Sequence, residues 1–111
     1  MLDENPLAQD QEVNYASLVG DESPLRSLSL RSNRIGDAGA IALANALKTN
    51  RTLLTLNLWG NQIGKEGAKA IAEMFKWNAV LVSLSLGSNR VGDDGASALA
   101  KVMNKITLDL W

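Results

Sequence analysis

The stretch LRSLSLRSNRIG at Leu25–Gly36 returns as LLTLNLWGNQIG at Leu53–Gly64 and as LVSLSLGSNRVG at Leu81–Gly92, with the three starts 28 residues apart. A fourth opening, ITLDLW at Ile106–Trp111, sets Leu108, Leu110 and Trp111 where Leu56, Leu58 and Trp59 stand, four residues ahead of the strict period. The third unit is therefore shortened. A fixed period of this length signals a chain built of stacked supersecondary units, each burying its faces against its neighbours.

Within each unit the apolar and polar residues first alternate, as in Leu28-Ser29-Leu30, which predicts a short strand with one buried face. An asparagine follows three places after the last strand leucine, where its amide can satisfy the backbone of a turning chain. Stacked units make a ladder of Asn33, Asn61 and Asn89. Beyond the glycine, the stretches Asp37–Leu47, Lys65–Phe75 and Asp93–Met103 are rich in helix formers spaced by threes and fours, which predicts helices of about three turns. Asp37 and Asp93 suit an N-cap or first-turn position, whereas Lys65 leaves the equivalent cap to backbone or water. Small residues at Gly39, Ala40 and Ala44, repeated at Gly67, Ala68 and Ala72 and at Gly95, Ala96 and Ala100, are expected to let helix approach strand.

The 111 residues suffice for one domain, and with 46% hydrophobic but only 5% aromatic residues the core must be aliphatic. Eleven basic against twelve acidic side chains leave a net charge of -1, which offers no general grip on nucleic acid or an anionic membrane. The absence of histidine and cysteine removes the usual general base, the thiolate nucleophile and most zinc or iron sites. No secretory signal opens the chain and no apolar run spans a bilayer, so the reading is cytoplasmic. The glycosylation-type tripeptide Asn50-Arg51-Thr52 is then a chance match. The glycines at 60 and 64 are explained by the repeat: their spacing and Glu66 do not fit a phosphate loop, and no cofactor is expected.

These motifs, with the GAxALAxAL-like helix that follows each, resemble the leucine-rich repeat in its 28-residue ribonuclease-inhibitor-like class, over residues 25–111. The resemblance implies an α/β, right-handed solenoid of about three and a half repeats, with parallel strands on the concave face and helices on the convex face. The units run 25–52, 53–80, 81–105 and, in part, 106–111. The uniform repeat style is closer to NOD-like receptors and other leucine-rich-repeat-containing proteins than to the cysteine-rich, two-repeat ribonuclease inhibitors. Residues 1–24 break the period as an irregular acidic leader. If Gln9–Val19 is helical, Val13, Leu18 and Val19 cover the open edge of the first unit. The apolar strand at the other end leaves an exposed repeat edge and suggests a monomeric fragment of a longer array.

In this class the residues between the strand leucines face outward from the concave side. They form three columns: Ser27, Thr55, Ser83 and Thr107; Ser29, Asn57, Ser85 and Asp109; and Arg31, Trp59, Gly87 and Trp111. Trp59 and Trp111 would stand about 10 Å apart, two strand spacings, with a cleft at Gly87. Tryptophan and arginine dominate binding hot spots, so Arg31, Trp59, Trp111, Ser29, Asn57, Ser85 and Asp109 are the expected contacts for a protein partner, and Asn33, Asn61 and Asn89 are structural. Trp77, near the end of the second helix, reads as a hydrophobic shoulder of the convex side. The resemblance carries an alternative, regulation of a small GTPase as in Ran GTPase-activating proteins, for which Arg31, Arg34 and Arg90 are the available charges. A truncated product without function is the remaining possibility. None of these is an enzyme.

Overall fold

A computed structural model describes residues 15–102 and 104–110 of the chain. Four three-residue strands, β1 (Ser27–Ser29), β2 (Thr55–Asn57), β3 (Ser83–Ser85) and β4 (Thr107–Asp109), form one parallel sheet in chain order. The register joins like to like, with Leu28 opposite Leu56, Leu56 opposite Leu84 and Leu84 opposite Leu108. Each crossover carries a helix: α1 (Asp37–Leu47), α2 (Lys65–Met74) and α3 (Gly92–Ala100). The strand–turn–helix unit repeats as an α/β solenoid of about three and a half repeats.

The aliphatic core lies between the two layers. Leu28, Leu30, Leu56, Leu58, Leu84 and Leu86 point into it from the strand side, and Leu43, Leu47, Ile71, Met74 and Leu99 from the helices. On the last strand Leu108 and Leu110 are only half-buried. The third helix ends at Ala100, short of the expected Met103, and Met103 itself lies outside the described residues.

Asparagines close the turns. The Asn61 amide nitrogen donates to the carbonyls of Leu58 at 2.9 Å and, one repeat back, Leu30 at 3.0 Å, while its oxygen accepts from the N–H groups of Ile35 at 2.8 Å and Asn33 at 3.0 Å. Asn89 repeats the pattern, donating to Leu58 and Leu86 and accepting from Ile63. A second ladder, which the strand motif does not reveal, runs at the other end of each helix. Asn78 donates to the carbonyls of Leu47 and Asn50 and accepts from the N–H groups of Val80 and Leu81. Asn50 likewise accepts from Thr52 and Leu53 and donates to Val19 and Gly20. With Asn50 only 1% exposed, the glycosylation-type tripeptide is folded into the scaffold.

Those last bonds carry the 28-residue register upstream of Leu25. A short 3₁₀ helix, Tyr15–Val19, packs on α1 where the helix of a preceding unit would lie, and Tyr15 and Val19 are buried. The Thr49 hydroxyl donates to Asp21 at 2.6 Å, a span of 28 residues. The period is thus not broken throughout the leader: Tyr15, Ala16, Leu18 and Val19 fall in register with Leu43, Ala44, Ala46 and Leu47. Of the residues expected to cover this edge, Leu18 and Val19 pack here, whereas Val13 and the rest of residues 9–14 lie outside the described residues.

Two local expectations are corrected. The glycines at 67 and 95 serve the approach of helix to preceding helix: a Cβ on Gly67 would meet the Ala40 Cβ at 2.9 Å, and one on Gly95 the Ala68 Cβ at 3.1 Å. The N-terminus of α2, where Lys65 cannot cap, is not left to backbone or water. It is capped by Asp37 of the preceding helix, whose Oδ1 accepts from the Gly64 and Gly67 N–H groups.

Candidate functional site

The parallel ladder continues past the strand ends, and this places the outward columns. Ser32 N–H donates to the Trp59 carbonyl at 2.9 Å and Gly60 N–H to that of Gly87 at 2.9 Å, so positions 31, 59 and 87 are neighbours on consecutive strands. Just beyond them the chain turns sharply through left-handed backbone at Ser32, Gly60 and Ser88 (φ 58°, 73° and 53°), equivalent positions of the three units. That conformation costs a residue with a Cβ about 1 kcal/mol, so Gly60 sits in it most easily.

On the concave face the hydroxyls pair among themselves. The Thr55 hydroxyl donates to Ser27 Oγ at 2.8 Å, and Ser85 donates to an Asp109 carboxylate oxygen at 3.4 Å. Ser27, Ser29, Thr55, Asn57, Ser83 and Ser85 line a shallow groove of about 340 Å³ with Leu28 and Leu56 beneath. Asn57 is partly committed to the scaffold, because its side-chain oxygen accepts from the Trp59 N–H at 2.9 Å. Its NH₂ donors remain for the groove.

Of the expected contacts, Arg31 and Trp59 come together: the Arg31 guanidinium carbon lies 5.1 Å from the centroid of the Trp59 ring. A cation over an indole at this separation is attracted by the ring's negative face, by about 0.5–1 kcal/mol where exposed. Arg31 is exposed and Trp59 half-buried, at one end of the hydroxyl groove. Ser29 lines the same groove but is only 8% exposed, so it offers a partner less surface than the other members of its column. Gly87 is buried, and Trp111 lies outside the described residues, so the cleft imagined between the two tryptophans has one described wall.

Trp77, on the opposite side, is 51% exposed with the Lys48 ammonium 4.6 Å from its ring centroid, so it is less a buried shoulder than an external brace between repeats. Among the described residues no group of acidic side chains is arranged to hold a metal. No helix among them is long and apolar enough to cross a membrane. Burial raises the pKa of the Tyr15 hydroxyl above its ordinary 10.0, at the edge of the stack and away from the concave face.

A solved structure with this fold is leiomodin-1 actin-binding site 2, which matches at 24% sequence identity over 100% of this chain and 70% of that one, with a TM-score of 0.76. No curated protein matches the chain. The family model described as "Leucine Rich repeat" matches three times, at residues 23–44, 49–72 and 78–100. These stretches take up more than half of the sequence and fall one to each strand–turn–helix unit, and on them the chain belongs to the leucine-rich repeat family.

Proposed function

We propose that this chain is a protein-interaction module whose concave strand face takes a macromolecular partner. The observation that carries the reading is the Arg31–Trp59 pair, a guanidinium 5.1 Å from an indole at the end of a groove lined by hydroxyls. Rigid aromatic rings lose little conformational freedom on binding, and tryptophan with arginine concentrates binding energy at interface centres. Thr55, Ser83, Ser85, Asp109 and the free donors of Asn57 supply the polar surround. Because the repeat scaffold holds these side chains on a sheet, the groove is preorganised.

The 28-residue unit with a full helix on the outer side supports placing the repeats in the ribonuclease-inhibitor-like class. The cysteine-free composition suits a cytoplasmic setting. Actin is the first partner to assay, by analogy of fold with a solved actin-binding domain. Co-sedimentation with filamentous actin, using wild type, Trp59→Ala and the remote Glu66→Ala, tests both points. Pelleting that Trp59→Ala abolishes and Glu66→Ala retains supports the concave site, and equal pelleting of all three contradicts it.

A further inference from the structure

On the convex side the α1–α2 junction is bridged by Lys48 and Trp77, ammonium over ring at 4.6 Å. Counted 28 residues on, those two places are taken by Lys76 and Lys105. The α2–α3 junction thus carries a second ammonium where its predecessor carries an indole. There the structure opens a cavity of about 460 Å³, within the size range of ligand pockets. Phe75 and Val102, both buried, form its apolar floor, and the exposed Lys69, Lys76, Lys101 and Lys105 surround it. Glu73, paired with Lys76 at 2.9 Å, is the one acidic side chain among the described residues of that lining.

In a chain of net charge -1, four lysines gathered around one apolar cavity are a local excess of positive charge. Carboxylates brought from outside complement that charge, and the indole that stands beside a lysine at the preceding junction has no counterpart here, where Lys105 takes its place above an apolar floor. We propose that this convex groove docks an acidic peptide segment bearing one aromatic side chain, the ring entering the cavity and flanking Asp or Glu residues meeting Lys69, Lys101 and Lys105. A nucleic acid fits less well, since the lining has ammonium points but neither a guanidinium plane nor an exposed ring on which bases could stack. This site is separate from the concave face and does not depend on what binds there.

The test titrates the full chain into a fluorescently labelled peptide with a single Trp flanked by Asp and Glu, read by anisotropy. Saturable binding is expected, weakened tenfold or more by Lys101→Glu with Lys105→Glu, weakened as much when the peptide Trp becomes Ala, and unaffected by Trp59→Ala. Circular dichroism checks the fold of each variant; if the double charge reversal does not fold, Lys69→Ala and Lys105→Ala singly must each weaken binding. The proposal is overturned by absence of saturable binding, by equal affinity for the Ala peptide, or by lysine-dependent binding of oligothymidylate or phosphatidylserine vesicles in place of the peptide.

Discussion

The Asp37 carboxylate stands in the first turn of α1 and caps α2: its Oδ1 accepts from the Gly64 N–H at 2.7 Å and from the Gly67 N–H at 3.0 Å. One side chain thereby ties two repeats and satisfies N-terminal donors that the second helix cannot satisfy itself. Asp37→Ala is expected to destabilise the fold by about 1–2 kcal/mol, in the range of a lost helix cap. The converse substitution is informative, because Lys65 occupies the equivalent place for α3, whose N-cap, Val91, has helical rather than extended backbone. Lys65→Asp is expected to gain about 1 kcal/mol by supplying the missing carboxylate. Urea denaturation midpoints check both.

Gly67 leaves room for that cap. A Cβ added there would come within 2.8 Å of Asp37 Oδ1 and 2.9 Å of the Ala40 Cβ. Gly67→Ala should cost about 1–3 kcal/mol through overpacking. Because it would also displace the carboxylate, its effect and that of Asp37→Ala should be less than additive in a double-mutant cycle. Strict additivity would mean that the cap and the close helix contact are independent.

Asn61 is buried and holds both sides of its turn, so Asn61→Ala strands several backbone groups at once. A loss of about 3 kcal/mol is expected. Asn89→Ala should cost less, because the Asn89 side chain is itself only half-buried and the space it vacates opens to water. Thermal melts of the two variants, compared directly, check the order.

The strands and turns were readable because their cues are local: alternation over three residues, one asparagine, one glycine, then a helical period. What escaped was the coupling between units. Nothing in the context of Asp37 distinguishes a residue that caps its own helix from one that caps the next, since its partners lie 27 and 30 residues away. The second ladder did leave a trace, Asn50 and Asn78 at the 28-residue spacing, but it lies outside the strand motif. The edge unit was hidden for a related reason. Leu2, Asn5, Leu7, Tyr15, Ala16, Leu18 and Val19 keep the 28-residue register with Leu30, Asn33, Ile35, Leu43, Ala44, Ala46 and Leu47, but no full LxxLxL stretch announces them. At the site, alternation places Ser29 on the groove, but it does not reveal that so short a side chain keeps only 8% of its surface exposed there.

Tyr15 allows that edge to be probed by pH. Its hydroxyl is buried without a hydrogen-bond partner among the described residues, and burial raises its pKa above 10.0. The folded state then holds the proton more tightly than the unfolded chain, so the contribution is complete below pH 10 and is lost as pH rises through the folded-state value. Tyr15→Phe should be as stable as wild type or more so near neutrality, since it removes a buried unpaired hydroxyl. It should also lack the part of the alkaline destabilisation due to this group. As the only tyrosine, Tyr15 can be followed by tyrosinate absorbance.

The concave reading is tested most directly by measuring a captured partner's affinity for wild type, Trp59→Ala and Glu66→Ala by calorimetry, with each variant's fold checked by its melting curve. A hot spot at the Arg31–Trp59 pair predicts a loss of about 2 kcal/mol or more for Trp59→Ala alone. A partner that binds Trp59→Ala as tightly as wild type would contradict the assignment of the concave face as the binding surface.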